Sequence, residues 1–279
     1  MTPQASAAPV DFDHNDPAVP GDTVREQYRT MTSQCPVAHV DKHGGFEIVS
    51  GYREAREAAG EADTFISGDG VFVPESGAPR VPPLEFDGAE HLQWRALMAD
   101  LLTPDKMRLL GPMVTDIVNE RIDLFANAGR VDLAQSFAEP IPAIVVGRLV
   151  GLTTEESLVN RDLATVAFAS TGTADFPSAM GCFVEYTLAR LHERRDRPKE
   201  DFLSSLASGH YKGMDIDDGA AVQIFLALLV GGHHSTASAI SGLVAHVLSS
   251  GQVKDKLSTD SKLLTRVIEE SLRLTTPLP

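Results

Sequence analysis

Gly231-Gly232-His233-His234-Ser235-Thr236 sets two imidazoles and two hydroxyls beside a pair of glycines, in a stretch without proline. An imidazole changes charge near neutral pH and can carry protons. A serine hydroxyl both donates and accepts hydrogen bonds. The segment could therefore relay protons, while the glycines let a flat or bulky group come close to the backbone. Ser235 can also bond back to the carbonyl of Gly231, four residues earlier, which tends to bend a helix. The same residues read equally well as tight helix–helix packing with two incidental histidines. A zinc site is the poorer reading, since adjacent His233 and His234 project about 100° apart on a helix and no third histidine follows at the next turn.

Two further clusters carry charge at helical spacing. His91 and Arg95 stand four residues apart, so an imidazole and a guanidinium fork share one face and suit a carboxylate. By residue type alone they are also two exposed polar positions on an amphipathic helix. Glu270 and Arg273 are three apart, a pairing worth roughly 0.2–0.5 kcal/mol on an open helix surface.

The elements that must hold these residues are mostly helical. Asp217 and Asp218 supply acids for a helix start and Gly251 a stop. The apolar stretch between them, Ala220 to Ser250, predicts a rod on the order of 45 Å long. Asp87-Gly88-Ala89-Glu90 has the form of a capping box opening a helix through about Leu102. Thr103-Pro104 has the form of an N-cap followed by proline at the first helical position, with a helix running toward Gly129. Helical periodicity continues over 133–150, 154–170, 176–195, 217–249 and 261–274. Before these, Val37–Val40 and Phe46–Val49 flank Asp41-Lys42-His43-Gly44-Gly45, a hairpin signal, and Gly51 to Ala59 reads as a short helix. Residues 64–86 read as loop, broken by Pro74, Pro79, Pro82 and Pro83. Residues 1 to about 20 are polar and rich in Pro, Ala and Asp, the pattern of a flexible N-terminus ahead of one mainly α domain over 21–279.

Composition narrows the classes. The net charge of −15 and pI near 4.9 argue against a nucleic-acid binder. Cys35 and Cys182 do not make a disulfide framework, and the N-terminus lacks the basic and apolar regions of a signal peptide. The apolar run from Ile224 to Gly232 is too short to span a bilayer. The expectation is a cytoplasmic protein without membrane or nucleic-acid partners.

The order His91-x-x-x-Arg95, Gly231-Gly232-His233-His234-Ser235, Glu270-x-x-Arg273 resembles that of the cytochrome P-450 family, the haem-thiolate monooxygenases of soluble bacterial type. The family's oxygen-binding helix reads Ala or Gly, Gly, any residue, an acid, Thr. Gly231 and Gly232 match it, His234 stands in the acid's place and Ser235 in the threonine's. The resemblance implies a helical P-450-like fold, incomplete at its C-terminus, that binds heme b. It implies His91 and Arg95 as propionate contacts, and Gly231 and Gly232 as the face that admits the cofactor. His234 and Ser235 are then the catalytic proton-relay pair. Glu270 and Arg273 become a buried structural pair that a later arginine completes. The implied partners are a small organic substrate, dioxygen, and a ferredoxin-type electron donor with its reductase. The family's iron ligand is the cysteine of Phe-x-x-Gly-x-x-x-Cys-x-Gly, beyond the Glu-x-x-Arg helix. Neither Cys35 nor Cys182 lies in such a loop and the chain stops at Pro279, so no metal ligand is assigned. On this reading the chain is inactive by itself. Two other classes remain: a haem-free helical remnant that binds a small molecule or partner, and a metal-dependent hydrolase using some of the nine histidines.

Overall fold

The apolar alternation at 37–40 and 46–49 pairs as an antiparallel hairpin, and the glycines between let the chain reverse. A computed structural model describes residues 10–13, 16, 21–73, 80–170 and 173–275. Helix α1 (Gly21–Gln34) leads into strands β1 (Val37–Val40) and β2 (Phe46–Val49), in register from Val37 opposite Val49 to Val40 opposite Phe46. A 3-10 turn, Lys42–Gly44, joins them, with Gly44 at φ 91° and Gly45 at φ 89°, conformations that side chains beyond glycine rarely adopt. Helix α2 (Tyr52–Gly60) follows.

The chain divides into two compact units, residues 1–80 with 84–92, and residues 81–83 with 93–279. In the first, Phe12 is buried against Tyr28 at 5.4 Å between ring centroids, beside Met31, Ala38 and Val40. The backbone N–H of Val10 donates to the His39 carbonyl at 2.8 Å. Residues 10–13 are therefore packed rather than loosely draped, because Phe12 supplies an aromatic side chain to a small core. The remainder of the expected flexible N-terminus lies largely outside the described residues, as do Pro74 and Pro79 of the expected loop. The carboxylate of Asp87 holds that loop: its two oxygens accept from the N–H groups of Ser67 at 3.0 Å and Gly68 at 2.6 Å. Those bonds engage the side chain that the sequence offers as a helix cap.

Helix α3 (Gly88–Ala99) carries on as a 3-10 turn to Leu102. Thr103 then caps α4 (Pro104–Asp123) by accepting from the Lys106 N–H, and α4 stops short of Gly129. A π-helix, Ala134–Ala138, feeds α5 (Pro140–Val150), and α6 (Thr154–Ala169) starts from a complete Thr153/Glu156 capping box. Gly151 ends α5 at φ 111°, where a β-carbon would strike the Asp201 carboxylate. The series closes with α7 (Phe176–Asp196), α8 (Phe202–Ala207), the hairpin β3 (His210–Tyr211) and β4 (Met214–Asp215), α9 (Asp218–Ser249), α10 (Gly251–Thr259) and α11 (Leu264–Thr275). Gly251, expected as a helix stop, instead opens α10, whose N-cap is Ser250.

Helix α9 organises the second unit. At 1.5 Å per residue its 32 residues span about 48 Å, and it packs against α5, α7, α8, α10 and α11. Ile224 and Phe225 are fully buried, each contributing about 1.5–3 kcal/mol of apolar transfer. By length and composition α9 is also apolar enough to cross a membrane, which the shorter run within it is not. Asp217 caps it, accepting from the Ala220 N–H at 2.7 Å. Toward its far end, Gly242 lies so close to Thr275 that a β-carbon would meet Oγ1, and His246 Nδ1 is 3.0 Å from the hydroxyl of Ser271 on α11.

Candidate functional site

The two glycines of α9 do different jobs. Gly232 faces α5, where an added β-carbon would stand 2.4 Å from Val146 Cγ2. Gly231, one residue earlier and about 100° around the helix, is exposed with nothing within 4 Å of that position. One glycine admits a neighbouring helix; the other leaves bare backbone on an open face.

His233 points inward and is only 5% exposed. Its Nε2 lies 3.1 Å from the carbonyl of Glu139, so the protonated Nε2 donates there. Glu139 occupies the junction of the π-helix and α5, its own N–H reaching back five residues to Ala134 at 2.9 Å. Burial, with the neighbouring His234 adding to it, pushes the His233 pKa down to about 4 against a small opposing pull from the Glu139 hydrogen bond. His233 is therefore neutral at physiological pH.

His234 is half-buried. Its ring sits 4.5 Å from that of His233 and meets Phe168 of α6 edge-on at 5.9 Å. Burial lowers its pKa below the ordinary histidine value, so it too is neutral near pH 7 and can accept a proton. Ser235 donates its hydroxyl to the Gly231 carbonyl at 3.0 Å, as its spacing predicts. The hydroxyl's lone pairs remain able to accept. The segment thus holds neutral His234 and Ser235 on consecutive positions, beside a glycine with no side chain.

His91 and Arg95 lie one turn apart on α3, His91 half-buried and Arg95 exposed. Among the described residues neither side chain has a hydrogen-bond or ion-pair partner. Glu270 and Arg273 do pair on α11: Nε and one terminal nitrogen of Arg273 bond the two carboxylate oxygens at 2.8 and 2.6 Å. Both are more than half exposed, at 57% and 66%, unlike the buried pair that the resemblance implies, because no other described element covers that face of α11. The Arg273 hydrogen bond lowers the Glu270 pKa.

Cys35 donates its thiol to the Val37 carbonyl at 2.8 Å, and Cys182 is exposed on α7. Among the described residues no group of three or more His, Cys, Asp and Glu could hold a metal ion. Three contributors were not singled out from the sequence: Val146, Glu139 and Phe168. Paired glycines in a helix do announce a close neighbour, but nothing in them says which residue it is.

No protein-family model matches the chain. It is similar to steroid C26-monooxygenase of Mycobacterium tuberculosis, 27% identical over 261 residues, which is 91% of this chain and 65% of that protein. It is also similar to cytochrome P-450 107B1 of Saccharopolyspora erythraea, 28% identical over 207 residues, 74% of this chain and 50% of that one. Among solved structures, a mutant of P-450 EryK in complex with erythromycin B superposes with a TM-score of 0.76 at 25% identity, over 90% of this chain and 66% of that one. The chain thus spans between half and two thirds of the length of these proteins. With its helices and two small hairpins in the matching order and its sequence similar to proteins of that name, the chain belongs to the cytochrome P-450 family.

Proposed function

We propose that the chain forms the oxygen-activating side of a haem-dependent monooxygenase that inserts one atom of dioxygen into a small organic substrate. The observation that carries this reading is the arrangement on α9. Gly231 offers open backbone where a flat macrocycle could lie, and His234 and Ser235 follow within one turn. These residues fit a haem face. Bound there, haem would supply dioxygen binding and activation. His234, neutral and partly shielded, would take protons from the medium, and Ser235 would hand them on through its hydroxyl. His91 and Arg95 would hold the two propionates, a carboxylate geometry suited to imidazole and guanidinium donors.

The iron's thiolate comes from neither cysteine on this reading. Cys35 spends its Sγ–H on Val37, Cys182 stands on a helix surface, and neither lies in a loop that offers several backbone N–H donors to sulfur. The 279 residues alone are therefore a poor haem binder without turnover. Electrons for the whole enzyme would come from a ferredoxin-type donor and its reductase in the cytoplasm.

A pyridine haemochrome assay and a CO difference spectrum on the purified chain test this. The expected result is substoichiometric haem, reduced further by Gly231→Phe, with no thiolate-type CO band. A full thiolate-type band would overturn the statement about the cysteines. Haem binding that Gly231→Phe does not change would remove this site, and no haem binding at all would favour the haem-free reading.

A further inference from the structure

We infer that His233, the residue between the glycines and the proposed relay, is a positioning residue: a neutral peg that fixes the rotation of α9 against α5 and thereby sets where His234 points. Three observations converge on it. His233 is buried and bonds a main-chain carbonyl on a different element, Glu139 at 3.1 Å, so its anchor does not depend on any rotamer of a partner side chain. The preceding residue, Gly232, packs against α5 so tightly that an added β-carbon would stand 2.4 Å from Val146 Cγ2. The following residue, His234, stacks obliquely on the His233 ring at 4.5 Å and is thus held toward Phe168. Consecutive contacts at 232 and 233 fix both the distance and the rotation of α9. A rotation error of one residue, about 100°, would carry His234 out of reach of Phe168.

The bond needs a proton on Nε2, because the carbonyl of Glu139 accepts and cannot donate; since burial keeps the ring neutral, that is its single proton. The charged side chains that bear on it are Arg161 and Asp162 on α6. Glu139 acts on it through its main-chain carbonyl, while its carboxylate bears on His234, and His234 adds to the reluctance of His233 to protonate. That this orientation matters for protons rests on the reading of His234 as a relay; the peg itself requires no cofactor.

Nitrogen-15 NMR of histidine-labelled chain tests it. His233 should show the Nε2–H tautomer and stay unprotonated down to about pH 5. His233→Gln keeps an amide N–H at the same reach and should leave the His234 titration midpoint unchanged. His233→Ala should move that midpoint up toward the free-histidine value of about 6.5. An Nδ1–H tautomer in the unaltered chain overturns the inference without any variant, even if His233→Ala fails to fold. So does a His234 midpoint that Ala and Gln shift alike, or that neither shifts. If the peg passes and His234→Gln leaves product yield per electron unchanged in a complete, thiolate-ligated enzyme that contains this chain, the relay reading fails and the peg stands.

Discussion

Gly232 and Val146 approach so closely that the smallest possible side chain on the glycine would stand 2.4 Å from Val146 Cγ2, while Gly231, its neighbour, borders open space. Two adjacent glycines with equal helix propensity therefore have opposite responses to the same substitution.

Gly231→Ala should raise stability by up to about 1 kcal/mol, the helix-propensity gain with no steric cost. At Gly232 the same gain is outweighed by overpacking of about 1–3 kcal/mol, so Gly232→Ala should lose stability. Urea midpoints of the two variants check the opposite signs. Equal shifts would mean that α9 and α5 are further apart than described.

Stability should fall on the acid side because of His233. Its folded pKa of about 4 lies below the ordinary 6.5. The unfolded chain therefore takes up a proton that the folded chain refuses. The sign is a contribution fully present above about pH 6.5 and lost progressively as pH falls toward 4, on the order of 3 kcal/mol in all. Denaturant melts at pH 7 and pH 5 should differ more for the unaltered chain than for His233→Gln, which has nothing to protonate.

Arg194 is 1% exposed and ties three elements together, its Nε 2.8 Å from Asp201 and one terminal nitrogen 2.7 Å from the Gly151 carbonyl. Burial pushes the Asp201 carboxyl up, but hydrogen bonds from Ser204 and Arg194 outweigh it and hold the pKa below its ordinary value. Arg194→Met removes the countercharge and leaves Asp201 inside, a loss of about 3–5 kcal/mol. Changing Asp201 to Asn as well should recover part of it. A thermal-unfolding double-mutant cycle gives the coupling directly.

In a complete, thiolate-ligated enzyme that contains this chain, Ser235→Ala should send a larger share of electrons to peroxide and less to product. The pH profile of that share should turn on the acid side of 6.5, since burial lowers the His234 pKa. Its sequence position alone would place the turn nearer neutrality. His234→Asp should move the turn further toward acid. Product and peroxide measured against reductant consumed decide it; an unchanged ratio in both variants removes the relay role.

Local signals made much of this fold legible. The hairpin at 37–49, the Thr103-Pro104 start and the Asp217 cap follow from backbone chemistry within a few residues. The same holds for the Ser235 bond to Gly231. What the sequence hides is decided by distant partners. Asp87 has the form of a helix cap, but the N–H groups of Ser67 and Gly68 claim both its oxygens. Gly251 has the form of a stop, yet the Ser250 hydroxyl accepts from Val253 and starts another helix. Arg194 looks like one more charge near the end of α7, and only the fold buries it. In the candidate site, His233 and His234 are indistinguishable by type; burial by α5 and α6 makes one an anchor and leaves the other half open.

Helix α9 is gripped at two distant places, against Val146 and Glu139 at residues 232 and 233, and against Thr275 and Ser271 at residues 242 and 246. The ten residues from His233 to Gly242 therefore act as a gauge of fixed length. One residue added or removed between them would turn one grip about 100° away from the other. Sequence drift in that interval can exchange side chains, but it cannot change their number.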